Sequence, residues 1–115
     1  MFAQASPPRA AHAALPPALF DDGGFLADTN RWTPELAERL AAEAGIEALT
    51  AQHWDVIRLV RERYLMLGAL PVMRLVCRAA GVERGAAHRL FSSCRSLWRI
   101  AGLPDPGEEA KAYMN

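Results

Sequence analysis

The sequence predicts a mainly α-helical fold: an orthogonal bundle of about five helices, with a small N-terminal β-hairpin, a helix-turn-helix-like corner and a C-terminal arm. Two observations predict this class. Apolar residues recur at helical spacing in several segments, and glycines or prolines separate those segments. Because 115 residues can enclose one modest core, we expect one helical domain at 20–102 between a disordered arm at 1–19 and a C-terminal arm at 103–115.

The N-terminal part of the chain contains two different signals. Residues 3–19 are mostly alanine and proline, and their two Pro-Pro pairs oppose a helix, which is why we expect disorder there. Residues 19–28 read LFDDGGFLAD, in which Asp-Asp-Gly-Gly suits a tight turn between apolar residues. This pattern predicts the hairpin, which is too short to be stable unless it packs on helices.

The two longest helices have clear start signals. Thr33 is expected to cap the first, which ends at Gly45, and Thr50 to cap the second, at about 51–67. Apolar residues cover a wide arc of the second helix, so we expect it to be central and mostly buried. His53 in its first turn is interpreted as a capping or packing residue, because no paired acid or thiol is placed for catalysis.

Three shorter helices are predicted at about 71–80, 83–92 and 94–101, with a possible helical turn at 108–113. The segment PVMRLVCRAAGVERGAAHRLF, which includes the first two, is similar to a helix-turn-helix. A basic second helix there could reach phosphates and base edges. The candidate nucleic-acid-binding residues are Arg84, His88, Arg89 and Arg95. Any small helical bundle contains such a corner, so DNA binding is the alternative hypothesis.

Charge is distributed unevenly although the formal net charge is zero. Acidic residues dominate 20–52, and arginines dominate 53–99. An arginine-rich surface suits phosphate or carboxylate partners, but an arginine-favouring codon usage would produce the same composition.

No arrangement typical of an enzyme is found in the sequence, and we expect neither a metal nor a cofactor. Cys77 lies on the inward side of its helix and is expected to be inert. Cys94 follows two serines at a helix N-terminus, where the dipole and Arg95 would favour its thiolate, so it is a weak catalytic candidate. Two cysteines in a helical chain that has neither a secretory signal nor a long apolar run lead us to expect a cytoplasmic protein without membrane contact.

Several separated motifs give the sequence a specific resemblance. They are GGFLAD, Trp32, LA-x-E-x-GI, LT-x-x-HW-x-VI-x-x-VR-x-x-Y, P-x-x-R, LF and IAGLP-x-P, in this order over residues 20–107. This order resembles the DsrC/TusE family of sulfur-relay proteins, which includes the gamma subunit of dissimilatory sulfite reductase. The resemblance implies the fold described above and a role in sulfur trafficking to sulfite reductase or to tRNA 2-thiolation. The implied partners are sulfur-carrier or sulfite-reductase-type proteins.

The sequence departs from this family at the residues that carry sulfur. Members bear a cysteine near the end of the arm, and some bear a second one before the IAGLP segment. Alignment on AGLP-x-P places these positions at Glu109 and Trp98, and neither a carboxylate nor an indole is a sulfur nucleophile. We therefore expect a relay protein that acts through protein contacts, leaning towards a non-enzymatic role. Cys94, one helical turn before Trp98, could replace the second cysteine.

Overall fold

The computed structural model describes residues 19–68 and 71–112, and nearly all of the predicted N-terminal arm lies outside them. These residues form one 3-10 helix and six α-helices, which confirms a mainly helical fold. The 3-10 helix is Thr29–Arg31, and the α-helices are α1 (Pro34–Glu43), α2 (Ala51–Leu67), α3 (Met73–Ala80), α4 (Ala86–Phe91), α5 (Cys94–Ile100) and α6 (Glu108–Lys111). Within these two ranges, every helix is too short or too polar to cross a membrane.

The predicted β-hairpin does not form strands in the described residues. Phe20 and Leu26 make one antiparallel bridge, and the Asp21 carboxylate accepts hydrogen bonds from the amides of Gly23 and Phe25 at 2.9 and 3.0 Å. The pairing stops there because Asp28 already caps the 3-10 helix. Phe25 and Leu26 are nevertheless fully buried, so the turn packs against the helices as expected.

Side-chain caps set the start of α1 and α2 as predicted. The Thr33 hydroxyl accepts a hydrogen bond from Leu36 N, and Thr50 forms a capping box with His53. Thr50 N donates to His53 Nδ1 at 3.0 Å, and His53 Nε2 lies 2.8 Å from the carbonyl oxygen of Leu90. Because Nδ1 accepts, Nε2 carries the proton that is donated to Leu90. The structural interpretation of His53 is therefore confirmed, and this residue joins α2 to α4.

The second half of α2 differs from the prediction of a mostly buried helix. Its buried residues are His53, Val56, Ile57 and Val60. Leu65, Met66 and Leu67 are exposed at 55%, 79% and 63% of their surface. The apolar residues of α2 therefore extend beyond the part of its surface that α3 and the other helices cover.

The two helices at the corner between α3 and α4 are both shorter than the sequence predicted. α3 packs on α2, and it begins at Met73 rather than at Pro71. Gly81 at its end and Gly85 before α4 both have left-handed backbone, so residues 81–85 turn rather than extend the fourth helix back to residue 83. α5 then packs on both α4 and α1, which closes the bundle.

Candidate functional site

The C-terminal arm leaves the bundle at a fixed turn after α5. Gly102 N donates to Arg99 O at 3.0 Å, and Leu103 N donates to Trp98 O at 3.2 Å, which is the hydrogen-bond pattern of a Schellman motif. Gly102 has a left-handed φ of 70°. Leu103 is fully buried, so the start of the arm belongs to the core.

Trp98 anchors the next residue of the arm. Its indole nitrogen donates to the carbonyl oxygen of Pro104 at 2.7 Å, and its ring meets that of Tyr64 edge to face at 5.6 Å. Only 1% of Trp98 is exposed. Trp98, the position at which we expect the family's second cysteine, therefore holds the arm to α5.

Trp32 and Arg61 hold the carbonyl groups at the end of α5. Trp32 Nε1 donates to Ile100 O at 2.8 Å, and Arg61 donates to Ala101 O at 2.7 Å. The Arg61 guanidinium also stacks over the Trp32 ring at 4.1 Å. Partial burial lowers the pKa of Arg61.

The far end of the arm is held by a cluster of charges around Lys111. Its ammonium lies 3.1 Å from Asp105 and 3.0 Å from Glu108, and 6.0 Å from the centre of the Phe25 ring. The Gly107 amide, and then Lys111, lower the pKa of Asp105 by hydrogen bonding. The pKa of Lys111 is raised by hydrogen bonds to Glu108 and Asp105. The arm thus closes on itself above Phe25.

Glu109 lies on α6 and is exposed. Among the described residues it takes part in no ion pair, whereas Glu108 beside it contacts Lys111. The position at which we expect the family's arm cysteine therefore presents a solvent-accessible carboxylate.

The environment of Cys94 opposes the expected thiolate. Burial, and then the neighbouring Cys77 thiol, raise the pKa of Cys94. Arg95 does not offset this, because its guanidinium lies over the Phe25 ring at 5.2 Å and 3.5 Å from the carbonyl oxygen of Gly23. Cys77 is buried as expected, and both thiols are free. The geometry therefore gives no support to the expectation that the dipole and Arg95 favour the Cys94 thiolate, and this expectation stays a prediction.

The four candidate nucleic-acid-binding residues do not form one free basic surface. Arg89 binds both carboxylate oxygens of Glu83, with the Nη2–Oε1 distance at 3.0 Å, and also contacts Gln52. The hydrogen bonds from Arg89 lower the pKa of Glu83 to about 2. Arg84 and His88 are exposed, whereas Arg95 is directed to the Phe25 turn.

A second feature is an open apolar groove of about 530 Å³ beside the start of the arm. Trp32 and Trp54 line it, together with Pro34, Ile57 and Leu65, and Asp55, Arg58, Arg61 and Glu62 complete its lining. Arg58 pairs with Asp55 at 3.3 Å and with Glu62 at 3.6 Å. The groove therefore combines an apolar floor with an edge on which two acidic and two basic side chains compensate each other's charge.

Sequence reasoning missed the residues that fix the arm: Arg61, Asp105 and Lys111. Nothing in the local pattern distinguishes Arg61 from the other arginines of α2, because its partners lie 32 and 40 residues away. The Asp105–Lys111 pair could have been found from an acid that precedes a predicted helical turn and a base within it. In the described residues no group of histidine, cysteine or carboxylate side chains could hold a metal ion.

Comparison with known proteins gives one consistent family. The family model described as "DsrC like protein" matches residues 17–108. The sulfurtransferase TusE of Salmonella choleraesuis strain SC-B67 is 41% identical, and the match covers 75% of this chain and 86% of that relative. The sulfurtransferase TusE of Escherichia coli K12 is 35% identical over the same shares.

Solved structures give the same result for the fold. The oxidized gamma-subunit of dissimilatory sulfite reductase (DsrC) from Archaeoglobus fulgidus has a TM-score of 0.68 and 30% identity, and the match covers 77% of this chain and 89% of that one. The DsrC/gamma subunit from Pyrobaculum aerophilum has a TM-score of 0.65 and 28% identity, over 77% of this chain and 83% of that one.

Proposed function

The chain belongs to the DsrC/TusE family of sulfur-relay proteins, and from this membership we propose that it acts in sulfur trafficking through protein contacts, without a persulfide-carrying cysteine on its arm. The observation that carries the proposal is the state of the arm. Trp98 attaches it to the bundle and Lys111 closes it on itself, yet its exposed position 109 holds a glutamate.

The chemistry of sulfur relay explains why this position decides the role. A carrier thiolate attacks the outer sulfur of a persulfide, the donor's thiolate leaves, and the outer sulfur is then bound to the carrier. The Glu109 carboxylate cannot form that bond as a stable product. Cys94 is partly buried, and burial raises its pKa, so it is a poor substitute.

The partners implied by the family are sulfur-carrier or sulfite-reductase-type proteins. The groove beside Trp32 and Trp54 supports such contacts, because an apolar floor with aromatic residues and a polar rim is typical of protein interfaces. We place the protein in the cytoplasm, a location supported by the two free cysteines. The family resemblance supports placing these contacts in the pathways that deliver sulfur to sulfite reductase or to tRNA 2-thiolation.

DNA binding receives no support from the arrangement of the basic residues. Arg89 is occupied by Glu83, and Arg95 lies over Phe25. A DNA-binding surface would need these guanidinium groups to be free for phosphates and base edges.

The proposal is tested by exposing the protein to a low-molecular-weight persulfide and measuring the masses of the intact protein and of its peptides. We expect the wild type to acquire no stable added sulfur, and Glu109→Cys to acquire one sulfur atom on the arm peptide. Cys94→Ala combined with Glu109→Cys keeps that gain and so identifies the reacting thiol. Added sulfur on wild-type Cys94 would overturn the proposed loss of carrier chemistry.

Partner contact needs its own measurement. Wild type and Glu109→Cys are each immobilised, and binding of a purified family-type sulfur carrier or sulfite reductase is compared. We expect both forms to bind, because the scaffold rather than the thiol makes the contact. Binding by Glu109→Cys without binding by the wild type would show that the contact depends on a cysteine at position 109 and would contradict the proposal.

A further inference from the structure

A small cleft of about 310 Å³ lies at the corner between α3 and α4. Arg74, Arg78 and Arg84 line it together with Cys77 and Val82, and none of these residues belongs to the arm. Three of the five lining side chains are cationic and none is acidic. We propose that this cleft binds a tetrahedral oxyanion of the phosphate or sulfate type.

The position of Arg74 on α3 is unfavourable without an anion, whereas Arg78 lies in the last turn, where the helix dipole favours a cation. The two arginines lie four residues apart, so they share one face of the helix and repel each other. Arg74 also lies in the first turn, where the helix dipole disfavours a cation and where α3 has no acidic residue. A bound anion between the two guanidinium groups would reverse both effects.

The turn after α3 adds the third arginine. Gly81 adopts a φ of 73°, its amide donates to Arg78 O at 3.1 Å, and Val82 N donates to Cys77 O at 3.0 Å. These two bonds form a Schellman motif, which reverses the chain direction at the end of the helix. Arg84, two residues beyond Val82, is thereby returned to the same cleft as Arg78.

The acid that is nearest in sequence does not neutralise the cleft. Glu83 precedes Arg84, but both of its carboxylate oxygens bind Arg89. Across residues 19–68 and 71–112, no carboxylate lies within ion-pair distance of Arg74, Arg78 or Arg84. The positive charge of the cleft is therefore available to a ligand.

The form of the lining side chains identifies the class of ligand. A guanidinium group presents planar pairs of N–H donors, which match two oxygens of a phosphate or sulfate. Three such groups around one cleft favour a compact divalent anion over chloride. The same oxyanion chemistry is found in free phosphate or sulfate and in a terminal phosphate ester.

The test is a titration of the full chain with sodium phosphate, sodium sulfate and a nucleoside monophosphate at constant ionic strength, followed by amide NMR shifts. We expect saturable shifts centred on residues 78–84. Arg78→Gln and Arg84→Gln should each weaken binding about tenfold, since each removes a charge-assisted hydrogen-bonding group. Arg39→Gln, which alters an arginine on α1 away from the cleft, should leave the affinity unchanged.

Thermal unfolding of each variant distinguishes lost binding from lost folding. Should Arg78→Gln fail to fold, Arg84→Gln still tests the site, because Arg84 lies in the turn rather than in a helix. Tighter binding of the nucleotide supports a phosphate ester as the ligand, and equal binding supports a free oxyanion. Shifts that do not saturate would show non-specific anion binding, that is, an adventitious ion only. A loss of affinity in Arg39→Gln as large as in the cleft variants would show the same. Either result would overturn the proposal.

Discussion

Trp32 lies so close to Gly102 that a β-carbon at position 102 would be 2.2 Å from the indole Cδ1. The same indole donates to Ile100 O and stacks under Arg61. The turn that starts the arm is therefore fixed by contact between a loop near the N-terminal end of the bundle and a glycine at the end of α5. This contact fixes the direction in which the arm leaves the bundle.

Replacement of Gly102 by alanine should destabilise the domain strongly. The left-handed φ of 70° disfavours any β-carbon, and the overlap with Trp32 adds to that cost. We expect the free energy of unfolding to fall by about 2 to 5 kcal/mol, as the sum of backbone strain and overpacking. Urea denaturation of wild type and Gly102→Ala measures this change.

Gly45→Ala is the matched control for Gly102→Ala. Gly45 has a similar φ of 86°, but a β-carbon there would meet nothing within 4 Å. Only backbone strain applies, so we expect a loss of about 1 to 2 kcal/mol. Equal losses of unfolding free energy in the two variants would show that Trp32 moves away from the new β-carbon without a measurable effect on stability.

Trp98→Phe should loosen the arm without removing the aromatic ring. The change removes the donor to Pro104 O and leaves that carbonyl without its partner. We expect a loss of about 1 to 3 kcal/mol in the free energy of unfolding, together with faster amide exchange at Leu103 and Lys111. Trp54→Phe is the control, because Trp54 is only partly buried and its indole takes part in no described hydrogen bond. Unchanged exchange in Trp98→Phe would contradict the anchoring role.

The Glu83–Arg89 pair should make stability depend on acid pH. The pKa of Glu83 is lowered from 4.5 to about 2 by hydrogen bonds from Arg89. A lowered pKa means that the folded state binds the proton less readily than the unfolded state, so the stabilisation is complete above pH 4.5 and is lost as the pH falls towards 2. Denaturation of wild type and Glu83→Gln at several pH values checks this. The two curves should converge as the pH approaches 2, and a constant difference would exclude the pairing.

The sequence predicts the elements that rest on local chemistry. Thr33 and Thr50 start their helices with side-chain hydrogen bonds, and the His53 cap could be inferred because all its partners in the capping box lie within three residues. The bond from His53 to Leu90, 37 residues away, has no local signal. Local patterns predict where the helices lie. They do not predict which two helices one side chain connects.

The hairpin and the site show where local reasoning fails. Asp-Asp-Gly-Gly does form the turn, but the pairing ends after one bridge because Asp28 starts a helix at once. The expected substitution at position 109 could be predicted from the sequence through the family motifs. The position of Arg95 over Phe25 is not visible, since it depends on α5 meeting a turn 70 residues earlier. The predicted activation of Cys94 lacks structural support for that reason.

Cys94 should react slowly with alkylating agents at neutral pH. Burial raises the pKa of Cys94, so the folded protein holds less thiolate than a free cysteine would. We expect iodoacetamide to modify Cys94 at least about tenfold more slowly than an exposed cysteine, with a rate that rises as the pH increases beyond the ordinary thiol range. Glu109→Cys provides the exposed reference within the same protein, because position 109 is solvent-accessible. Mass spectrometry of the two peptides at matched times gives the ratio of rates. Faster modification of Cys94 than of the cysteine introduced at position 109 would indicate an activated thiol and restore Cys94 as a candidate sulfur carrier.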